Sequence, residues 1–110
     1  MELVRLVYDL TKKFPREEQF GLTLQIRRAA VSVPSNIAEG QGRNSTKEFL
    51  HHLSIAHGSL LETETQGLIA EMQGYISTSA TNELLDRAAE VGRLLNGLAG
   101  SLNRRLNVNR

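Results

Sequence analysis

Leu3, Leu6, Val7, Leu10 and Phe14 recur at steps of three and four residues, the spacing that puts side chains on one face of an α-helix. The chain therefore opens with a helix over about residues 2–13. Pro15 restricts Phe14 to extended geometry and ends it, and Glu17 and Glu18 suit the first turn of a second helix. That helix, about 17–42, carries a stripe of Leu22, Ile26, Ala29, Val33 and Ile37. Pro34 lies inside the stripe, where it removes an amide donor and crowds the carbonyl of Ala30, so a kink or local break is expected there.

Ser45 followed three residues later by Glu48 spells a capping box, and a third helix of about 45–73 begins there. Its apolar seam reads Phe49, Leu53, Ala56, Leu60, Thr63, Gly67 and Ala70 in alternating fours and threes. Gly74 supplies the stop, and Ser77, Thr78 and Ser79 offer a loop and an N-cap. A fourth helix, about 80–106, repeats the alternation with Leu84, Ala88, Val91, Leu95, Leu98 and Leu102. Short connections make neighbours antiparallel, so residues 1–110 form one all-α domain, an up-down-up-down four-helix bundle with left-handed coiled-coil-like packing. Helix 1 would span about 18 Å against well over 30 Å for helices 3 and 4. Part of the seam is then left for another subunit to cover, or helix 1 begins upstream of Met1.

Composition narrows the chemistry. The 110 residues are 40% hydrophobic and 23% charged, ordinary for a globular chain, with few aromatics and no Trp. Cys is absent, which removes disulfide scaffolds, thiolate metal sites and Cys nucleophiles. No apolar run approaches the roughly 18 residues of a membrane span, and the N-terminus is amphipathic, so a cytoplasmic protein without a membrane role is expected. The net charge is only +1.

No enzyme active site is recognisable. His51, His52 and His57 lie on helix 3 without the further ligands a metal needs, and read as solvated or subunit-facing. Helical RNA nucleases often place His four to six residues after Arg, whereas seven residues separate Arg43 from His51. Gly40 and Gly42 read as a helix end rather than a phosphate loop. No cofactor or metal is expected.

Two polar patterns remain. Gln25, Arg28, Ser32, Asn36 and Glu39, with Arg43 beyond, step in threes and fours along helix 2, either as a structural network in which Asn36 and Glu39 accept from Arg28 or from backbone opened by Pro34, or as an interface or ligand surface. Basic residues gather as Lys12, Lys13 and Arg16 at the first corner, Arg27 and Arg28 on helix 2, and Arg104, Arg105 and Arg110 at the C-terminus. Residues 45–74 instead hold one cation, Lys47, against four carboxylates. Such segregation suits either phosphate contact or the meeting of basic and acidic faces of two copies.

The run YDLTKKFPREEQFGLTLQIRRAAVSVPSNIAEGQGR followed by STKEFLHHLSIAHGSLLETETQ resembles the four-helix bundle proteins encoded in 23S rRNA intervening sequences, also labelled S23 ribosomal protein-like. The FP corner, FGL, QIRRA, NIAEG, EFL and the IAxGSLxE pattern match in order from Tyr8 to about Tyr75, at positions that include Gln25, Arg27, Arg28, Asn36, Glu39, Gly40 and Glu62. The resemblance implies kinship with the accessory variability determinant proteins of diversity-generating retroelements. It also implies a homopentamer and, for those relatives, binding of nucleic acid and of a reverse transcriptase; it carries no catalytic residue. Relatives usually have several residues more before Met1, and this chain lacks the strongly basic surface that suits nucleic-acid binding by the retroelement relatives' mode. The expected function is a non-enzymatic homo-oligomeric bundle that binds structured RNA or DNA through Arg16, Arg27, Arg28, Arg43, Arg104 and Arg105. The alternative is a protein-interaction scaffold without nucleic acid, which binds a partner protein through the helix-2 stripe and the acidic helix 3.

Overall fold

The computed structural model describes residues 1–108, and Arg110 lies outside them. Four helices follow one another: α1 Glu2–Thr11, α2 Leu22–Gln41, α3 Thr46–Met72 and α4 Thr78–Val108. Each packs against its neighbours in sequence and α1 closes the ring against α4, while the diagonal pairs stay apart. This is the expected all-α antiparallel bundle, drawn out to 52 × 24 × 18 Å.

The heptad reading of the core holds nearly throughout. Leu53, Ala56, Leu60, Thr63, Gly67 and Ala70 of α3 are buried, with Phe49 packed at the edge, and they meet Leu84, Ala88, Val91, Leu95 and Leu102 of α4. Leu3, Val7 and Phe14 complete the core from α1 and the residues just after it. Leu98 departs from the pattern and is 37% exposed. Its helix has 31 residues, about 46 Å of rise, whereas α1 has 10, about 15 Å, and a helix that short leaves part of α4 uncovered.

Beyond shifts of about two residues at the ends of α1 and α4, two features differ from expectation. Residues 17–21 do not extend α2: Arg16–Glu18 form an isolated 3-10 turn and the chain re-enters helix at Leu22. Glu18 makes this corner. Its Oε1 accepts from the Leu22 N–H at 3.1 Å, capping α2, and its Oε2 accepts from the Tyr75 hydroxyl at 2.9 Å, tying the corner to the α3–α4 connection. Both bonds hold the Glu18 carboxyl below the usual glutamate range, the backbone donor contributing most, and the same contact raises the Tyr75 hydroxyl.

The second difference is at Pro34, where α2 continues without a break. The lost ladder bond costs about 3 kcal/mol in isolation, but Ala29, Ala30 and Val33 around it are buried, and that packing outweighs it. Ser45 Oγ accepts from the Glu48 N–H at 3.0 Å, as the capping-box pattern requires, and Ser77 Oγ does the same for the Ala80 N–H at 3.0 Å. Gly74 ends the α3 region with φ of 79°, a conformation costly for any residue with a Cβ. Among the described residues no helix is long and apolar enough to cross a membrane.

Candidate functional site

The polar stripe of α2 is turned towards α3, and α3 answers it with polar groups of its own. Ala29 and Gly40 bound this side of α2, and a Cβ on Gly40 would lie 2.8 Å from Phe49 Cδ1 and 2.9 Å from His52 Cβ. The absence of that Cβ lets the two helices close to the distance at which short side chains meet. Ser59 Oγ donates to Ser32 Oγ at 2.8 Å. Asn36 Nδ2 donates to the Ser32 carbonyl at 2.9 Å and to Ser32 Oγ at 3.0 Å, and Asn36 Oδ1 lies 3.1 Å from His52 Nδ1.

A carbonyl only accepts, so the Asn36 amide nitrogen faces Ser32 and its oxygen faces His52; His52 therefore carries its proton on Nδ1 and donates it. Glu39 Oε2 stands 3.8 Å from the same nitrogen, and Glu39 Oε1 accepts from Arg43 at 3.2 Å. The lower half of the stripe is thus a connected network. Arg28 takes no part in it, contrary to the sequence expectation. Asn36 turns to the Ser32 carbonyl and Glu39 to Arg43, partners one helical turn away that need no long side chain to bend back.

Towards the other end of the stripe the helices part into a groove of about 330 Å³ lined by Gln25, Arg28, Ala29, Ser32, Ser59, Glu62 and Gln66. Arg28 and Glu62 face it from opposite helices without forming an ion pair, and Gln66 Oε1 is buried with no hydrogen-bond partner. The groove presents a cation, a carboxylate and amides, a set that binds polar groups and contains no paired nucleophile and base. Among the described residues no three His, Asp or Glu side chains come together as a metal set.

The six arginines singled out in the sequence meet different fates. Arg27 is pinned: its Nε donates to Thr11 Oγ1 at 2.7 Å and its guanidinium lies 4.6 Å from the centre of the Tyr8 ring. Arg43 pairs with Glu39. Arg16, Arg28, Arg104 and Arg105 are exposed, and among the described residues none has a carboxylate within 4.0 Å. Arg16 sits at the α1–α2 corner, and Arg104 and Arg105 in the last turns of α4, at the end where antiparallel α3 begins.

His51 and His57 are exposed, as read from the sequence, but His52 is not solvated, its side chain being only 12% exposed. Sequence reasoning missed it and Ser59 as members of the network, since the partners are 16 and 27 residues apart. The available signal was Gly40, whose missing side chain marks the close approach.

The sequence profile of the 23S rRNA-intervening sequence protein family matches residues 1–97, and the chain belongs to that family. The match runs through α1 and well into α4, further than the motifs between Tyr8 and Tyr75. The fold is also similar to the 1.70 Å crystal structure of a protein with unknown function from the S23 ribosomal protein family of Bacteroides thetaiotaomicron VPI-5482, with a TM-score of 0.81 and 24% identity, covering 89% of this chain and 92% of that one. No curated protein matches the chain.

Proposed function

We propose that this chain is a non-enzymatic, homo-oligomeric bundle, pentameric as its family resemblance implies, that binds RNA or DNA through arginines repeated by the symmetry of the assembly. One observation carries the reading. Among the described residues, Arg16, Arg28, Arg104 and Arg105 are exposed with no carboxylate partner, although the chain is close to neutral overall. Cations left uncompensated at both ends of an elongated bundle are placed to meet an external polyanion. Repetition in identical copies multiplies a patch too small to bind phosphates alone.

Assembly has separate support. Leu61, Leu68 and Met72 are exposed on one flank of α3, seven and four residues apart, on the helix whose net charge is opposite to that of its neighbours. The same flank supports the second reading, a scaffold that uses it to hold a partner protein.

Light scattering and nucleic-acid titration test both halves. A mass near five times 12.2 kDa is expected, with affinity for RNA that falls steeply between low and moderate salt, and less steeply after Arg104→Gln with Arg105→Gln. A monomer at working concentrations, or a salt response that is flat, removes the proposal.

A further inference from the structure

The side of α2 turned towards α1 holds a second arrangement. The buried Thr11 hydroxyl donates to the Val7 carbonyl at 2.8 Å and accepts from Arg27 Nε at 2.7 Å, so a rigid helix turn fixes the guanidinium. That guanidinium lies over the Tyr8 ring, which stays 39% exposed. Beside the pair opens a groove of about 420 Å³, lined by Tyr8, Leu24, Arg27, Arg28, Val31 and Ser32. Val31 is exposed and Leu24 half-buried. A neighbouring hollow shares Arg27 and continues over Lys12 and Arg16. The one ion pair found along this strip joins Lys12 to Asp9 at 3.5 Å. An outward aromatic ring with two aliphatic side chains is therefore bracketed by Arg16, Arg27 and Arg28.

An arginine stacked on a tyrosine can be purely structural. That role would not need a second guanidinium in the same groove, nor apolar side chains held open beside it. A flat π-system with negative groups on either side satisfies all of these together. A duplex would offer only its phosphates, because its base faces are stacked on each other, and an acidic peptide would use the arginines but leave the ring and aliphatic surface wet.

We propose that the α1–α2 groove is a stacking site for an unpaired base of single-stranded nucleic acid, its ring against Tyr8 between Leu24 and Val31, with Arg28 and Arg16 on the flanking phosphates. This rests on the nucleic-acid reading above and assigns it a strand type and a place.

The 110-residue chain has two tyrosines and no Trp, so Tyr75→Phe leaves Tyr8 as its sole strong emitter. Titrating that variant with a single-stranded RNA of about 12 nucleotides should quench the emission, and a blunt-ended RNA duplex of the same length should not. By anisotropy, Tyr8→Leu should weaken the single strand roughly tenfold and spare the duplex, while Tyr8→Phe binds as the parent does. Arg28→Gln should lower the salt slope by about one, and Arg93→Gln, on the outside of α4, should change nothing. Circular dichroism confirms that each variant is helical.

Salt-dependent RNA binding without quenching, or with Tyr8→Leu equal to the parent, overturns the stacking site and leaves the nucleic-acid reading standing. Failure of both RNAs to bind at low salt overturns both. Displacement of the strand by polyglutamate, with the same dependence on Tyr8, assigns the groove to an acidic protein segment and overturns the proposal.

Discussion

Replacing Asn36 with Ala cuts the seam network at its centre. It removes two donated bonds to Ser32, at 2.9 and 3.0 Å, and the acceptor for His52 at 3.1 Å. The two donated bonds share one amide and count as little more than one, and each part-buried bond is worth about 0.5–1.5 kcal/mol net. The His52 Nδ1 proton would then face only Glu39, 3.8 Å away, which restores part of its loss. Against this, Ala favours helix over Asn by about 0.5 kcal/mol. The balance is a destabilisation of about 1–2 kcal/mol, or roughly 4–10 °C in Tm for a domain of this size.

Urea unfolding followed at 222 nm measures it, at one fixed protein concentration because association adds to apparent stability. His52→Ala and the double variant complete a cycle whose coupling should be about 0.5–1.5 kcal/mol. Additivity within about 0.3 kcal/mol would refute the assignment of an Asn36–His52 bond, and with it the protonation of His52 on Nδ1.

Leu60→Ala, at the centre of the α3 seam and 1% exposed, should cost about 2–5 kcal/mol in the same assay, since the cavity it leaves lies inside the core. The corner at Glu18 should be sensitive to acid. Its folded carboxyl titrates below the ordinary glutamate range, so its stabilisation is full above that range and fades as the pH falls through it. Tyr75, raised by the same bond, adds stability that fades as the pH rises through its elevated value. Thermal melts of Glu18→Gln should be flatter than those of the parent on acidification, and parallel curves would dissociate Glu18 from the corner.

What the sequence made legible was whatever repeats. The α3 and α4 seams follow from the spacing of Leu, Ala and Val, because a periodic burial pattern is written locally, residue after residue. The Ser45 cap and the Gly74 stop were legible for the same reason, being short-range chemistry. The 3-10 corner was not, since Glu18 chooses between extending α2 and capping it according to Tyr75, 57 residues away. Pro34 misled only as to a break: its local preference is against a helix, and α2 runs on through it because tertiary packing overrides that preference.

In the candidate site the stripe Gln25, Arg28, Ser32, Asn36 and Glu39 was visible as a period, but its partners were not. Arg27 and Arg28 show the limit most sharply. Adjacent positions on a helix point about 100° apart, so one arginine is locked against Thr11 and Tyr8 while the other stands between two grooves. Nothing in the dipeptide says which is which.

The Gly40 contact makes chain length along α2 and α3 a matter of specification. Ser32–Ser59, Asn36–His52 and Gly40–Phe49 are three rungs of one ladder, each fixed by the helical rise between it and the next. A substitution damages a single rung. A residue inserted or deleted between rungs turns every later side chain by about 100° and moves it about 1.5 Å, out of reach of all its partners at once. Variants of this bundle that still fold should therefore differ freely in side chains and in the lengths of their loops, and hold the residue counts between Ser32 and Gly40 and between Phe49 and Ser59 constant.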